Sequence, residues 1–161
     1  MARAVTALNV FLEPRCSGDK FITLWTGIFD PQQMSLEYVD AGHGYALLVK
    51  AADKRVQSLD EHAGVPVGAA SDFQYETATA QLAPGDRALL FTDGIVEQVS
   101  EEAMRAGERQ QFGIDGVARI IEENSGEDLL TRLFQALHAF AGGKGFTDDV
   151  TGVLVQCSSQ S

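Results

Sequence analysis

The chain has 161 residues, a length that suits one domain with a substantial core and is short for two. Its composition, with 45% hydrophobic and 22% charged residues, is typical of a folded globular protein rather than a disordered one. The formal net charge of -11 repels phosphate backbones and anionic lipid surfaces, so we expect neither a nucleic-acid partner nor membrane docking.

The sequence also predicts a cytoplasmic protein. No apolar run approaches the ~20 residues that a membrane-spanning helix requires. Residues 1–12 contain an apolar stretch, but Thr6 and Asn9 interrupt it and no small-x-small cleavage site follows. We interpret this segment as the end of a core helix or its connection. Cys16 and Cys157 are far apart and neither belongs to a CxxC pair, which predicts two reduced thiols.

The next part of the chain is rich in strand and turn signals. Residues 21–29 are aromatic and β-branched, and they end at the turn signal Asp30-Pro31. Residues 35–39 alternate between apolar and polar, and residues 45–49 form a short apolar run. Gly42-His43-Gly44 supplies a permissive connection between them. These three segments predict an antiparallel meander.

A second group of strand signals follows. Gly64-Val65-Pro66-Val67-Gly68 is too rich in glycine and proline for a regular strand and predicts a loop of fixed shape. Residues 75–82 alternate weakly, and Ala83-Pro84-Gly85-Asp86 is a strong turn signal. Residues 88–92 form a continuous apolar run, the pattern of a strand that is buried on both faces.

The last third of the chain predicts two helices and a returning strand. In the first helix the apolar residues recur at helical spacing: Ile114, Val117, Ala118 and Ile121. Residues 125–128 resemble a capping box that opens the second helix. That helix has an apolar side made of Leu130, Leu133, Phe134, Leu137 and Ala141. Gly142-Gly143 ends it, and residues 150–157 form the final strand. This order predicts an α+β domain whose helices cover one face of an antiparallel sheet.

Acidic residues follow one predicted strand and precede another. Asp93 comes directly after the buried strand, and Asp148 and Asp149 come just before the final strand. If those strands are antiparallel neighbours about 5 Å apart, the acids lie at the same edge of the sheet. Carboxylates held that close need a cation, or one of them must hold a proton. Each acid taken alone has the simpler interpretation of a turn cap, whereas the pair favours a metal site.

The ligand types indicate which metal would bind. No histidine or cysteine stands beside these acids, so a soft or borderline metal is not expected. Carboxylates and backbone carbonyls suit a hard ion such as Mn²⁺ or Mg²⁺. Gly94 allows a sharp turn, so that its carbonyl or the ion is not blocked by a Cβ atom. Ions of this kind commonly act in pairs on phosphate esters.

A series of short motifs, in a fixed order, carries a family resemblance. The motifs are Ala41-Gly42-His43, Gly64-Val65-Pro66-Val67-Gly68, Leu82-Ala83-Pro84-Gly85-Asp86, Phe91-Thr92-Asp93-Gly94-Ile95-Val96-Glu97, Phe112-Gly113 and Asp148-Asp149-Val150-Thr151. This series resembles the SpoIIE-like branch of the PPM-type serine/threonine phosphatases, over nearly the whole chain. Any one motif is weak, but six of them in this order are specific.

The resemblance implies a fold, a cofactor and a reaction. The fold is an antiparallel β-sandwich flanked by helices, with a binuclear Mn²⁺ or Mg²⁺ centre at one edge. A metal-activated water hydrolyses phosphoserine or phosphothreonine in a regulatory protein, such as an anti-sigma antagonist. Asp93 and Asp148 match the catalytic metal ligands of the family. Asp149 is a ligand or a neighbour of the ligands, and Gly94 acts through its carbonyl or by allowing the turn. We interpret His43 as a turn histidine.

One departure from the family pattern qualifies these expectations. The family has an earlier acidic motif, an Asp followed by Gly-His-Gly, that bridges the two metals, and nothing before Phe21 resembles it. We therefore expect residues 1–157 to be the C-terminal part of a phosphatase domain and residues 158–161 to be a frayed tail. The same departure predicts weak or absent phosphatase activity for this chain alone and an exposed sheet edge that favours self-association.

Two alternatives to a phosphatase remain open. The chain could be a catalytically deficient pseudophosphatase that binds a regulatory protein. It could also be an acidic scaffold whose carboxylates cap turns or hold a structural Ca²⁺. The relation between Asp93 and Asp148 separates the scaffold from the other two.

Overall fold

In the computed structural model, residues 1–16, 20–124 and 128–158 are described. They form two compact units. The first contains residues 1–46 and 58–83, and the second contains residues 47–57 and 84–161. Residues 125–127 of the predicted capping box, and the predicted tail beyond residue 158, lie outside the described residues. Within the described ranges no helix is both long and apolar enough to cross a membrane.

The first unit combines one helix with a three-stranded antiparallel sheet. Its elements are helix α1 (Ala2–Leu12), a 3₁₀ turn (Glu13–Arg15) and strands β1 (Leu24–Asp30), β2 (Ser35–Ala41) and β5 (Ala78–Gln81). The strand order is β1-β2-β5. The predicted turn after β1 is present, since the Asp30 carboxylate accepts hydrogen bonds from the amides of Gln32 and Gln33 at 2.8 and 3.0 Å.

Helix α1 packs into the core of the first unit, which agrees with the first of the two interpretations of this segment, a core helix rather than a connection. Its Val5 belongs to a buried cluster with residues of the sheet and loops: Val39, Ala41, Val67 and Tyr75. Asn9 is fully buried in the same helix. Its Nδ2 donates to the carbonyl of Ala70 at 2.6 Å, and its Oδ1 accepts from the amide of Gly68 at 2.7 Å. The polar residue that interrupts the apolar stretch therefore fixes the loop that ends at Gly68.

The turn after β2 is built around a buried carboxylate. Asp40 is only 1% exposed, and its two oxygens accept from the amides of His43 and Gly44 at 2.7 and 3.1 Å. Gly42 has a φ of +73°, and a Cβ atom there would overlap the ring of Pro66. The backbone of His43 thus takes part in the turn, while its ring contacts that of Tyr45 edge to face. This geometry agrees with the interpretation of His43 as a turn histidine.

The second unit contains a four-stranded sheet in the order β4-β3-β6-β7. Its strands are β3 (Ala46–Val49), β4 (Val56–Ser58), β6 (Arg87–Phe91) and β7 (Gly152–Gln156). The predicted meander is therefore wrong in its third strand, because the partners of β2 are β1 and β5. All four residues of β3 are buried, which is the pattern of a central strand with a neighbour on each side.

The described residues of the second unit include four helices. They are α2 (Asp93–Val96), α3 (Glu101–Arg105), α4 (Gly113–Glu123) and α5 (Leu129–Phe140). The apolar stripe of α4 is displaced from the predicted one: Gly116, Val117, Ile120 and Ile121 are buried, whereas Ile114 is 45% exposed. Helix α5 buries Leu129, Leu133 and Leu137. It is followed by Gly142 and Gly143, both with positive φ. The α+β class is confirmed.

The turn motif that ends in Asp86 has a structural role. Asp86 is 2% exposed, and its Oδ2 forms an ion pair with Lys50 Nζ at 2.7 Å. Its Oδ1 accepts from the amide of Ala51 at 2.8 Å. Burial raises the pKa of the nearby Cys157 thiol, and the carboxylate of Asp86 raises it further. Cys157 is thus held as a neutral thiol, and both Cys16 and Cys157 are free of disulfide bonds.

A surface ion pair predicts a pH dependence of stability. Glu101 on α3 binds Lys144 Nζ at 2.6 Å, and this hydrogen bond is the main cause that lowers the pKa of Glu101 from 4.5. A lowered pKa in the folded state means that the stabilisation is present above about pH 4.5 and is lost as the pH falls through the folded pKa. We expect Lys144→Met to lower the urea midpoint more at pH 7 than at pH 3. An equal difference at both pH values would contradict the ion-pair explanation.

Candidate metal centre

The two strands that flank the predicted acids are antiparallel neighbours, as the sequence analysis required. Strand β6 pairs with β7 such that Phe91, the last residue of β6, lies opposite Gly152, the first residue of β7. The pairing continues one residue further, because the amide of Thr92 donates to the carbonyl of Thr151 at 3.1 Å. The end of β6 and the start of β7 therefore share one edge of the sheet.

The side chain of Thr92 joins the two chain segments at this edge. Its hydroxyl accepts from the amide of Thr151 at 3.0 Å and donates to the carbonyl of Asp149 at 3.0 Å. A hydroxyl that accepts one bond and donates another uses both of its hydrogen-bonding functions. Thr92 consequently fixes the backbone just after Asp148 relative to the backbone just before Asp93.

Gly94 makes the closest approach between the two segments. Gly94 is buried, and a Cβ atom built on it would overlap the carbonyl oxygen of Asp149. Its backbone φ is not positive, so the requirement for glycine comes from space rather than from conformation. The structure therefore brings together two of the four predicted site residues, Gly94 and Asp149, through their backbones.

The carboxylates of Asp93 and Asp148 lie on the two segments that meet here. Asp93 is the first residue of α2, and its Oδ1 accepts from the amide of Gly94 at 2.9 Å. Asp148 is arranged in the same way, with its Oδ1 accepting from the amide of Asp149 at 2.7 Å. All three acids are exposed. Asp93 and Asp148 thus each have the local hydrogen bond of a turn cap, which occupies one of their two oxygens.

The type of ligand atom at this edge suits a hard cation, whereas the number of ligand side chains is small. The side chains at this edge offer only oxygen atoms, which suits Mn²⁺ or Mg²⁺ rather than a softer metal. In the part of the chain that the structure describes, no three or more His, Cys, Asp or Glu side chains are grouped so as to hold a metal ion. Mg²⁺ sites commonly use one or two protein carboxylates and several waters. The acids at this edge fit an ion of that kind.

Gln98 is a residue of this site that the sequence analysis missed. It is 2% exposed, and its Oε1 accepts from the amide of Thr147 at 3.1 Å. Its Nε2 donates to the carbonyl of Val99 at 3.0 Å, and its own carbonyl accepts from the amide of Phe112 at 2.9 Å. Gln98 therefore fixes the residue before Asp148 from the segment that follows α2. Glutamine is usually exposed, so the sequence gives no signal for this burial.

The role of Gln98 predicts the effect of its replacement. Gln98→Met keeps a similar volume but removes the acceptor of the Thr147 amide. We expect the free energy of unfolding to fall by about 1 kcal/mol. We expect Mn²⁺ affinity to fall about tenfold, as for other groups that orient metal ligands. Urea denaturation and calorimetric titration measure the two effects.

A matched substitution provides the control for Gln98. Gln135 is an exposed residue of α5, so Gln135→Met makes the same chemical change at a position outside the loop that carries Asp148. It should leave Mn²⁺ affinity unchanged. Equal affinity of Gln98→Met and the parent protein would show that Gln98 does not position Asp148.

A cleft opens beside Asp148. It has a volume of about 480 Å³ and is lined by Glu97, Val99, Met104, Arg109, Thr147 and Asp148. We call it the Asp148 cleft. Asp148, a predicted metal ligand, and Thr147, whose amide Gln98 holds, form one part of its wall, and the segment between α2 and α4 supplies the rest.

The fold of this chain is that of PP2C (PPM-type) phosphatase domains. It superposes on a solved structure of the PP2C domain and part of the regulatory domain of SpoIIE from Bacillus subtilis with a TM-score of 0.77, at 21% identity. That comparison covers 99% of this chain and 45% of the other. It also superposes on the RsbU and RsbW domains of a Mycobacterium tuberculosis protein with a TM-score of 0.71, at 26% identity, covering 100% of this chain and 43% of the other.

The family follows from the sequence. The family model described as Stage II sporulation protein E (SpoIIE) matches residues 1–158, and the chain belongs to this family. Among curated proteins it is 25% identical over 133 residues to the phosphoserine phosphatase RsbU of Bacillus subtilis. The match covers 81% of this chain and 37% of RsbU. The family resemblance and the PPM-like fold predicted from the motifs are confirmed, and the chain spans only part of its relatives.

Proposed function

We propose that this chain carries the metal-binding edge of a bacterial serine/threonine protein phosphatase of the signalling type. Asp93 and Asp148 would hold Mn²⁺ or Mg²⁺ through the carboxylate oxygens that the turns leave available. The observation that supports this most is the close approach of Gly94 to the carbonyl of Asp149. The hydroxyl of Thr92 donates to the same carbonyl, so the segments that carry Asp93 and Asp148 are held together. A turn cap needs only its own local hydrogen bond and does not require this contact between segments.

The proposed roles of the chain's own residues follow from their positions. A bound divalent ion would lower the pKa of a coordinated water and offset charge on the leaving oxygen. Asp93 and Asp148 would supply the negative charge that holds the ion. Gly94 and Thr92 would keep their two segments together, and Gln98 would fix the loop before Asp148. Asp149 would act mainly through its backbone. A binuclear centre would need donors in addition to these acids.

The proposed substrate is a phosphorylated regulatory protein. RsbU is named a phosphoserine phosphatase, and the matching Mycobacterium tuberculosis structure contains an RsbU and an RsbW domain in one protein. An anti-sigma antagonist is the kind of phosphoprotein that this relation suggests, acted on in the cytoplasm. The net charge of -11 also favours a protein partner over a nucleic acid.

A second function is favoured by one observation. Since the described residues contain no group of three or more metal-binding side chains, the chain could bind a regulatory protein without hydrolysis. This is the pseudophosphatase alternative. It retains the fold and the partner but not the chemistry.

Phosphate release from a phosphoserine peptide tests the proposed activity. We expect slow release that requires Mn²⁺ or Mg²⁺, stops with EDTA and falls about a hundredfold in Asp93→Asn, which corresponds to loss of a few kcal/mol of transition-state stabilisation. Release that is indifferent to EDTA would contradict the proposal. Absence of release in a preparation that binds Mn²⁺ would favour the pseudophosphatase.

A further inference from the structure

The Asp148 cleft contains one basic residue among its described lining residues, Arg109. Within the described ranges, Arg109 forms no ion pair with a carboxylate, although the chain carries almost twice as many acidic as basic residues. By contrast, Arg105 and Lys144 are both paired with Glu101. An arginine that lines a cleft with its guanidinium uncommitted is available to bind an anion.

The backbone around Arg109 is held by a short paired segment. The amide of Ser100 donates to the carbonyl of Gln110 at 2.8 Å, and Val99 and Gln111 form an antiparallel bridge. The adjoining bond from the Phe112 amide to the Gln98 carbonyl, at 2.9 Å, closes this pairing. Gln98 also holds Thr147 at 3.1 Å. One buried residue thus connects the segment that carries Arg109 with the loop that carries Asp148.

The cleft combines this cation with an apolar surface. Met104 is 55% exposed and Val99 is half-buried, and both line the cleft. Methionine is flexible and polarisable, so it adapts to varied apolar side chains. An apolar surface with a guanidinium on one side suits a polypeptide segment better than it suits a free inorganic ion.

The charges of the cleft depend on the metal. Glu97 and Asp148 place two carboxylates in the lining, which alone would repel a phosphate group. In the proposed site a divalent cation would be held by Asp93 and Asp148 and would offset their two negative charges, so that Glu97 alone among the described lining residues opposes the charge of Arg109. A dianionic phosphoryl group between the metal edge and Arg109 would then meet two cationic groups, the ion and the guanidinium.

We propose that the Asp148 cleft binds the phosphorylated segment of the protein substrate. Arg109 donates hydrogen bonds to phosphoryl oxygens, and Val99 and Met104 contact an apolar side chain next to the phosphoserine. This inference rests on the proposed function, because it takes the substrate class from it. It adds the residue that recognises the phosphate and the surface that receives the neighbouring side chain.

Binding of a non-hydrolysable peptide tests the inference separately from catalysis. The probe is a fluorescent peptide with the phosphonate analogue of phosphoserine and a flanking leucine, and its matched partner has serine. Anisotropy titrations use the full chain with Mn²⁺. We expect the phosphonate peptide to bind more tightly than the serine peptide, and Arg109→Gln to weaken its binding about tenfold or more. The affinity for the serine peptide should change little.

A second arginine provides the matched control. Arg119 is an exposed residue of α4 that does not line the cleft, so Arg119→Gln makes the same change in net charge elsewhere in the unit. It should bind the phosphonate peptide like the parent protein. Loss confined to Arg109→Gln supports the inference even if the chain does not hydrolyse phosphoserine. Equal binding by the parent protein and Arg109→Gln, or no preference for the phosphonate peptide, would overturn it.

Discussion

Gly94→Ala is expected to lower the free energy of unfolding by about 1–3 kcal/mol and to weaken Mn²⁺ binding strongly. The added methyl group would overlap the carbonyl oxygen of Asp149, with a methyl group of Val150 3.5 Å away. That carbonyl belongs to the backbone and also accepts from the Thr92 hydroxyl at 3.0 Å, so it cannot move without breaking this bond. The two segments would have to separate, and Asp93 and Asp148 would move apart with them.

The control for Gly94→Ala is Gly145, a glycine in the chain segment between α5 and β7. Gly145 has no atom within 4 Å of an added Cβ, and its φ is not positive. Gly145→Ala should change the free energy of unfolding by no more than about 0.5 kcal/mol. Urea denaturation measures the stability of both variants, and calorimetric titration measures their Mn²⁺ affinity. Parent-like stability and metal affinity in Gly94→Ala would mean that the contact with Asp149 is not needed.

Asp93→Asn and Asp148→Asn are each expected to lower Mn²⁺ affinity roughly a hundredfold, because each removes a negative oxygen ligand. If both acids hold the same ion, the double variant should lose little more than either single variant. Residues that act as a unit give such non-additive losses. Calorimetric titration of the four proteins measures the coupling.

Asp115→Asn controls for the change in charge. Asp115 is an exposed acid in the first turn of α4, and it lies outside the site. Its replacement should leave Mn²⁺ affinity within about twofold, since exposed charges are screened by salt. Losses that simply add in the double variant would place Asp93 and Asp148 at separate sites.

The meeting of the two chain segments that carry Asp93 and Asp148 could be predicted from the sequence because it depends on strong local patterns. Residues 88–92 form an apolar run that is typical of a strand buried on both faces, and residues 150–157 predict a returning strand that can pair with it. Antiparallel pairing then places the end of one strand beside the start of the other. The observed register, with Phe91 opposite Gly152, agrees with this predicted pairing.

The placement of β3 could not be predicted in the same way. Its short apolar run shows that it is buried but does not identify its neighbours, and the nearest strand in the sequence was a natural but wrong choice.

The predicted apolar stripe of α4 was wrong in part, because helical spacing alone does not show where the helix meets the core. Ile114 is at helical spacing with Val117 and Ile121, but it lies in the first turn, where it is 45% exposed, and Ile120 is buried instead.

The burial of two polar residues could not be predicted from any pattern in the sequence. Asn9 and Gln98 are almost fully buried, and the side-chain oxygen of each accepts from a backbone amide far away in the chain. Amide side chains become favourable in a core only when such partners are present. Their partners are set by tertiary structure, so periodicity and motifs carry no information about them. Gln98 was missed for this reason, although it supports the loop of Asp148.

Paramagnetic broadening by Mn²⁺ tests most directly whether Asp93 and Asp148 share one cation. Substoichiometric Mn²⁺ is added to the ¹⁵N-labelled chain, and the amide signals near a bound ion broaden first. We predict that the amides of Asp93, Gly94, Asp148 and Asp149 broaden together at the same Mn²⁺ concentration, and that Asp93→Asn removes the effect at all of them. Broadening at only one of the two segments, or at acids elsewhere in the chain, would contradict a shared site.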